Sequence, residues 1–457
     1  MLGTPGGSRK HQEGGKNCGM EVEPELQRIG RELHAAFPSP SRHPMRALDQ
    51  KAMQLSSQDQ ELRAALFRLV DVTPACRSLD DLARHLGEYL GEVEEQPAPL
   101  AAAMRVAGSK AGRRALGAAA AGGVKHMAHR FIVGESPGSA LPVLRRLWDQ
   151  GIAATVDLLG EATVTAAEAD RYAARCVEAL DTIAVAAPDW PARPLLEADA
   201  AGALPRVNLS VKVSALTPLL RPDAPEFGRD DAARRMRPLL RRARDLDAHL
   251  HIDMESLDTL EATVELALDL LGEDEFREGP SAGVVLQAYL RDSPSTLERV
   301  LEWAAAHPRS RPLTVRLVKG AYWDQEVVEA RQHGWSPPVF EVKADCDRNF
   351  EALTRTLLDA SPPLRVAIAS HNLRSVAHAI AYAQGRDLEL QVLRGLGDEL
   401  AEALAASGQR VRSYCPVGDL VAGMAYLVRR LLENTSNESF LGEQQRGTPV
   451  ETLLAAP

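Results

Sequence analysis

Eight short apolar runs, rich in β-branched residues, alternate with helical segments between residues 131 and 396. No other feature restricts the fold so tightly. The runs are FIVGE (131–135), IAATVDLLGE (152–161), VNLSVKVSA (207–215), HLHIDME (249–255), GVVLQAYL (283–290), LTVRLVKG (313–320), RVAIASHN (365–372) and LELQVLRGL (388–396). Between them, LDTLEATVELALDLL and PSTLERVLEWAAAH carry apolar residues at the three- and four-residue spacing of an amphipathic helix. A helix between two strands returns the chain to the same edge, so successive strands pair in parallel. Eight such units match a (β/α)8 barrel in number and size. The expected class is therefore α/β, a TIM-like (β/α)8 barrel. A doubly wound open sheet is the alternative, but no G-x-G-x-x-G follows any strand, so a Rossmann site has no support.

At about 150 residues per domain, 457 residues give a prior of three domains. The patterning divides the chain differently. Residues 1–22, rich in Gly and polar residues, read as a disordered leader. Residues 23–128 read as an N-terminal helical arm, with ELQRIGRELHAAF and DQELRAALFRLVDV as helices between Pro-containing breaks. The barrel takes residues 129–442, and 443–457 form a disordered tail. The segment GDELAEALAASGQRVRSYCPVGD after the last run reads as an extra connection into a final helix.

Composition narrows the class. Hydrophobic residues are 45% and charged residues 25%, the mix of a globular protein in water. The net charge of −10 argues against nucleic acid as a partner. No apolar run reaches the roughly 18 residues of a membrane span, and the N-terminus has no apolar signal core, so a cytoplasmic location is expected. The cysteines (Cys18, Cys76, Cys176, Cys346, Cys415) are scattered, without a C-x-x-C pair or a neighbouring His at ligand spacing. They read as free thiols, and no metal centre is expected.

The strands turn polar at their ends: Glu135, Asp157, Lys212, Asp253 with Glu255, Gln287, Arg316 with Lys319, His371 with Asn372, and Gln391 with Arg394. Singly, each reads as a solvated rim or a helix cap. Together they mark the C-terminal face of a parallel barrel, where active sites sit. The mixture of Lys, Arg, Asp and His suits an anionic or zwitterionic ligand rather than a metal. In RLVKGAYWD (316–324), Gly320 lets the backbone approach a ligand, and Arg316 can stabilise negative charge developing on an electron-accepting ring. In AYLVRRLLEN (425–434), Tyr426, Arg429, Arg430 and Glu433 share one helix face. Its paired arginines can fork onto one carboxylate.

The ordered series FIVGE, VNLSVKVSAL, HIDMES, VLQAYL, RLVKGAYWD, SHN, QVLRGLGDEL, SYCPVG and AYLVRRLLENTSN resembles the proline dehydrogenase family. It is most similar to the proline dehydrogenase portion of bacterial proline utilization A. The resemblance runs from about residue 130 to 442 and extends, more weakly, through RALDQKAM and LFRLVDVTPACRSLDDLARHL. It implies a distorted barrel that binds FAD at the strand C-termini. It also implies oxidation of L-proline to 1-pyrroline-5-carboxylate by hydride transfer to flavin N5, with electrons passed to a membrane quinone. Asp253 and Arg316 match the family's catalytic residues. Lys212, Arg429 and Arg430 would meet the proline carboxylate, and Tyr322, Leu393, Tyr414 and Tyr426 would wall its ring. A Tyr at the position of Tyr414 goes with proline over hydroxyproline. Flavin contacts would come from Met254, Gln287, Arg316, Val318, Lys319, Gly320, Ala321, Trp323, Ser370, His371, Asn372 and Gln391.

In LRGLGDE, Leu396 stands where the motif often has Met, a change expected to affect packing only. No ribbon-helix-helix repressor module and no aldehyde dehydrogenase half is expected. The chain then reads as a stand-alone enzyme whose product goes to a separate pyrroline-5-carboxylate dehydrogenase, or as one half of a longer polypeptide. A quinone acceptor would imply peripheral contact with the inner membrane face. Two other readings are a methylenetetrahydrofolate reductase-like flavin barrel using NAD(P)H and a degenerate barrel acting as a scaffold. The Arg429/Arg430 pair disfavours the first, and the intact Lys212, Gln287 and Arg316 disfavour the second.

Overall fold

The computed structural model describes residues 15–37, 60–93, 110–160, 163–419, 423, 443 and 447–457. Its centre is a closed barrel of eight parallel strands. They are β1 (Ile152–Leu158), β2 (Asn208–Lys212), β3 (His249–Asp253), β4 (Ser281–Gln287), β5 (Leu313–Val318), β6 (Leu364–Ala369), β7 (Glu389–Leu393) and β8 (Arg410–Val417). Each strand pairs with the next in sequence, and β8 pairs with β1 over Ile152–Leu158 to close the ring. The closed ring rules out the open sheet. Every residue of β3 and β4 is buried, as expected for parallel strands covered by helices on the outer face.

The sequence reading of two segments is corrected. FIVGE is not a barrel strand: Phe131 ends the helix Lys110–Phe131, and only an isolated bridge joins Gly134 to Val417. A short apolar run does not distinguish a buried helix end from a strand. The eighth strand is instead RVRSYCPV, which the sequence presented as part of a connection. Its alternate positions are Arg410, Arg412 and Tyr414 rather than aliphatics, and it contains Pro416. That proline is tolerated because pairing with β7 has already stopped at Tyr414.

The unusual feature is what the barrel encloses. TIM-barrel interiors are dominated by branched aliphatics. Here the lower interior holds buried Arg412, whose Nε lies 2.8 Å from Glu389 Oε1, and Thr155, whose hydroxyl bonds Asn208 at 2.9 Å. His249 Nδ1 lies 2.9 Å from Ser281 Oγ, His249 Nε2 lies 3.0 Å from His251 Nδ1, and His251 Nε2 lies 3.2 Å from the Val284 carbonyl. That carbonyl can only accept, so His251 carries a proton on Nε2; with burial holding both imidazoles well below the ordinary histidine value, the neutral pair then carries its protons on Nε2 throughout. Gly283 makes room for this, since any Cβ there would collide with the His251 ring. A cavity of about 280 Å³ opens below these groups at the N-terminal mouth.

Helices follow the strands with conventional signals. After β1, Thr165 caps Ala166–Ala186 in a reciprocal capping box with Glu168. After β6, Asn372 caps Leu373–Ala383 by accepting from the Ser375 amide at 3.0 Å. The arm divides in two. Helices Gln60–Val72, Leu79–Gly91 and Lys110–Phe131 enclose a separate small core around Leu62, Leu69, Leu82, Leu86 and Leu90. The helix Gly15–Ala35 belongs to the barrel instead, burying Val22, Leu26 and Leu33 in its outer core.

That helix begins inside the stretch expected to be disordered. The tail expected to be disordered carries a helical turn, Val450–Leu453, followed by fully buried Leu454. Arg374 is the common anchor. It donates to the Leu454 carbonyl at 2.7 Å, to Glu23 at 2.9 Å and to Glu351 at 2.8 Å. Composition alone marked both ends as polar and small, and it could not show that a buried arginine waits for them.

Candidate active site

At the C-terminal end of the barrel, four strands converge on one carboxylate. Asp253, the last residue of β3, accepts at Oδ1 from Arg316 Nη1 on β5 (2.8 Å) and from Ser210 Oγ on β2 (3.0 Å). Its Oδ2 accepts from the Tyr414 hydroxyl on β8 at 2.6 Å. Lys212, at the end of β2, lies 3.9 Å from Asp253 Oδ2 and forms an ion pair with Asp157 of β1. Strand period explains the convergence. In the β2–β3 register Lys212 faces Asp253 and Ser210 faces His251, so alternate residues of both strands point into the barrel.

Burial makes these charges consequential. Burial alone would push the Lys212 ammonium toward neutrality, but the carboxylates of Asp157 and Asp253 outweigh it and hold the amine above the ordinary lysine value. Burial first, and then the same two carboxylates, push the Tyr414 phenol well above its usual range. Tyr414 therefore remains a hydroxyl donor. The Arg316 guanidinium also lies 5.4 Å from the centroid of the Tyr414 ring.

Four polar atoms in and beside this cluster, Asp157 Oδ2 among them, have no partner among the described residues. Arg316, only 4% exposed, leaves Nε and Nη2 unpaired. Gln287, at the end of β4, donates to the Glu255 carbonyl at 3.0 Å and leaves Oε1 unpaired. Buried polar atoms are rarely left in this state in a folded protein, so these point to a bound group or ordered water.

Residues 140–443 match the family model for proline dehydrogenase. This chain belongs to the proline dehydrogenase family. Residues 23–131 also match the proline utilization A N-terminal domain. The bifunctional protein PutA of Salmonella typhimurium is 32% identical over 346 residues, which are 72% of this chain and 25% of that protein. The chain thus spans about a quarter of its bifunctional relatives. The proline dehydrogenase of Deinococcus radiodurans is 30% identical over 321 residues, 69% of this chain and 89% of that one. The crystal structure of proline utilization A from Bdellovibrio bacteriovorus, inactivated by N-propargylglycine, superposes with a TM-score of 0.84. It is 35% identical and covers 95% of this chain and 44% of its own.

The other residues singled out by the family motifs occupy several environments. Met254 packs with Val264, Leu268 and Val285, with Val318 against the same cluster. Gly320 has φ +131°, a conformation that disfavours side chains, and a Cβ there would strike the Tyr289 ring. Lys319 is paired with Asp347, which also takes Lys343 at 2.6 Å; burial nevertheless lowers the Lys319 value. Ala321 is exposed, Tyr322 is half-buried, and Trp323 donates its indole N–H to the Phe340 carbonyl at 2.9 Å. Across the site, His371 Nε2 accepts from the Leu393 amide at 2.9 Å, which fixes the Nδ1–H form when the ring is neutral. Ser370 Oγ accepts from the Asn372 amide at 3.1 Å.

Gln391 departs from the group. Its amide donates to Glu389 Oε1 at 2.6 Å, and it lines the cavity at the opposite mouth. Tyr426, Arg429 and Arg430 lie outside the described residues. Motif reading misses two residues: it gives Ser210 no role, and it marks Asp157 only as a polar strand end. Period-2 alternation from Lys212 would have placed Ser210 on the inward face. The thiols of Cys76, Cys176, Cys346 and Cys415 are free. Cys76 does approach Asp81 and His85, their ligand atoms lying within 4.8 Å, contrary to the spacing argument. The Arg84 guanidinium already bonds both Asp81 (2.7 Å) and His85 (3.0 Å).

Proposed function

We propose that this protein oxidises L-proline to 1-pyrroline-5-carboxylate with FAD as the bound electron acceptor, the first step in converting proline to glutamate. The observation that carries this reading is the set of unpaired buried atoms on Arg316 and Gln287 beside the Lys212–Asp253 cluster. An isoalloxazine edge presents carbonyl acceptors and one N–H donor. The two free nitrogens of Arg316 and the free oxygen of Gln287 match it in kind. When bound, the flavin would supply at N5 the acceptor for the hydride leaving proline C5. Met254, Val318, Lys319, Gly320, Ala321, Trp323, Ser370, His371 and Asn372 complete the expected flavin contacts.

The chain's own residues would do the rest. Lys212, kept charged by its two carboxylates, draws the substrate carboxylate, with Arg429 and Arg430 as its further partners. Tyr322, Leu393, Tyr414 and Tyr426 exclude water around the ring. Asp253 organises the cations, since its oxygens are already engaged by Arg316, Ser210 and Tyr414. Arg316 offsets negative charge developing on the acceptor. Electrons would pass to a membrane quinone through peripheral contact from the cytoplasm. A pyrroline-5-carboxylate dehydrogenase would take the product. No helix among the described residues is long and apolar enough to cross a membrane.

The test is the visible spectrum of the purified protein under anaerobic titration. Bleaching of an oxidised flavin by L-proline, and not by NADPH, is the expected outcome. A flavin bleached by NADPH alone, or a protein that binds no flavin, would overturn the proposal.

A further inference from the structure

We propose that Ser210 is a positioning residue of the site, the pivot that holds Arg316 and Asp253 in one rigid unit. This rests on the proposed function. Ser210 is fully buried at the middle of β2, one inward step below Lys212, and is too deep to serve as a rim residue. Its hydroxyl donates to Asp253 Oδ1 at 3.0 Å and lies 3.3 Å from Arg316 Nη1, from which it can accept. A serine hydroxyl has one proton and two lone pairs. Asp253 can only accept here and Arg316 can only donate, so the direction of both bonds is settled.

Arg316 Nη1 also donates directly to Asp253 Oδ1 at 2.8 Å. The three atoms therefore close a small ring of hydrogen bonds. A single contact would let the guanidinium plane swivel about Asp253, and the second contact, to Ser210, removes that freedom. The consequence falls on Nε and Nη2, the unpaired edge that would face the acceptor. Preorganised donors act strongly because they need no reorganisation as charge develops. On the neighbouring strand β3 its register partner is His251, whose Nε2 lies 3.2 Å from the Val284 carbonyl.

Ser210→Ala removes one oxygen atom without adding volume, so the barrel is expected to fold. In the holoenzyme, kcat is expected to fall about tenfold, with the proline KM within twofold and the FAD content unchanged. The flavin midpoint potential should also fall, because a loosened Arg316 stabilises the reduced ring less. Ser210→Thr, which keeps the hydroxyl, should restore the potential. A Ser210→Ala enzyme whose kcat and potential both match the parent, with only a lower melting temperature, would overturn the inference alone. A parent flavin that proline does not reduce would overturn the proposed function, and this inference with it. If Ser210→Thr does not fold, the potential of Ser210→Ala decides by itself.

Discussion

Asp253 sits where β2, β3, β5 and β8 meet, and each residue around it owes its position to strand period. Of this group, Lys212, Asp253, Arg316 and Tyr414 were legible from the ordered motifs, because each stands in a recognisable stretch. Ser210 and Asp157 were less visible, since small or single polar residues in apolar runs look like ordinary strand positions. Lys212 offers the simplest test at this scale. Replacing it by Met removes the charge that the proposed function sets against the substrate carboxylate, while keeping the stem. A hydrogen bond to a charged group contributes about 1.5–3 kcal/mol. The proline KM is therefore expected to rise roughly 10- to 100-fold, with FAD retained. Steady-state kinetics beside the flavin absorbance per chain would check both halves. The double substitution Arg429→Met with Arg430→Met is expected to abolish proline binding, again with FAD retained, as equilibrium titration would report.

At the scale of elements, alternation of strands and helices was readable, and the two errors share a cause. FIVGE looked like a strand because three adjacent apolar side chains are buried, whereas RVRSYCPV hid because its inward positions carry charge. The same polar interior predicts a pH dependence. Burial holds His249 down to about 3, and it holds His251 well below the ordinary histidine value of 6.5. The unfolded chain thus takes up these protons first as pH falls. Stability is complete above about pH 6.5 and declines as pH drops through 6.5 toward 3, by about 1.4 kcal/mol per pH unit for each histidine. Glu389 adds to the loss below 4.5, because Arg412 holds its carboxyl at about 2 in spite of burial. Urea denaturation of His249→Gln between pH 7 and pH 5 should show a shallower decline than the parent, by one proton. Equal slopes would contradict the neutral histidine pair.

On the scale of the whole molecule, the arm is two structures with different attachments. Among the described residues, the helices Gln60–Val72, Leu79–Gly91 and Lys110–Phe131 have their own core, while the helix Gly15–Ala35 and the tail are joined to the barrel through Arg374. Nothing in the local pattern of either end announced this, because the partners of Arg374 lie 351 residues before it and 80 after it. Arg374→Ala would leave Glu351 buried without its cation. Removing one partner of a buried pair costs about 3–5 kcal/mol, so chemical denaturation should show a loss of that order, with the flavin spectrum preserved in buffer. Unchanged stability would mean that the first helix and tail are held by packing alone.

The central claim joins barrel, flavin and substrate in a single event, and one anaerobic turnover tests it. The oxidised protein is mixed with excess L-proline, flavin absorbance is followed, and 1-pyrroline-5-carboxylate is trapped with o-aminobenzaldehyde. The account predicts one product molecule for each flavin bleached, in the parent protein, and strongly slowed bleaching in Arg316→Met. Flavin that stays oxidised in proline, or bleaching without stoichiometric product, would contradict it.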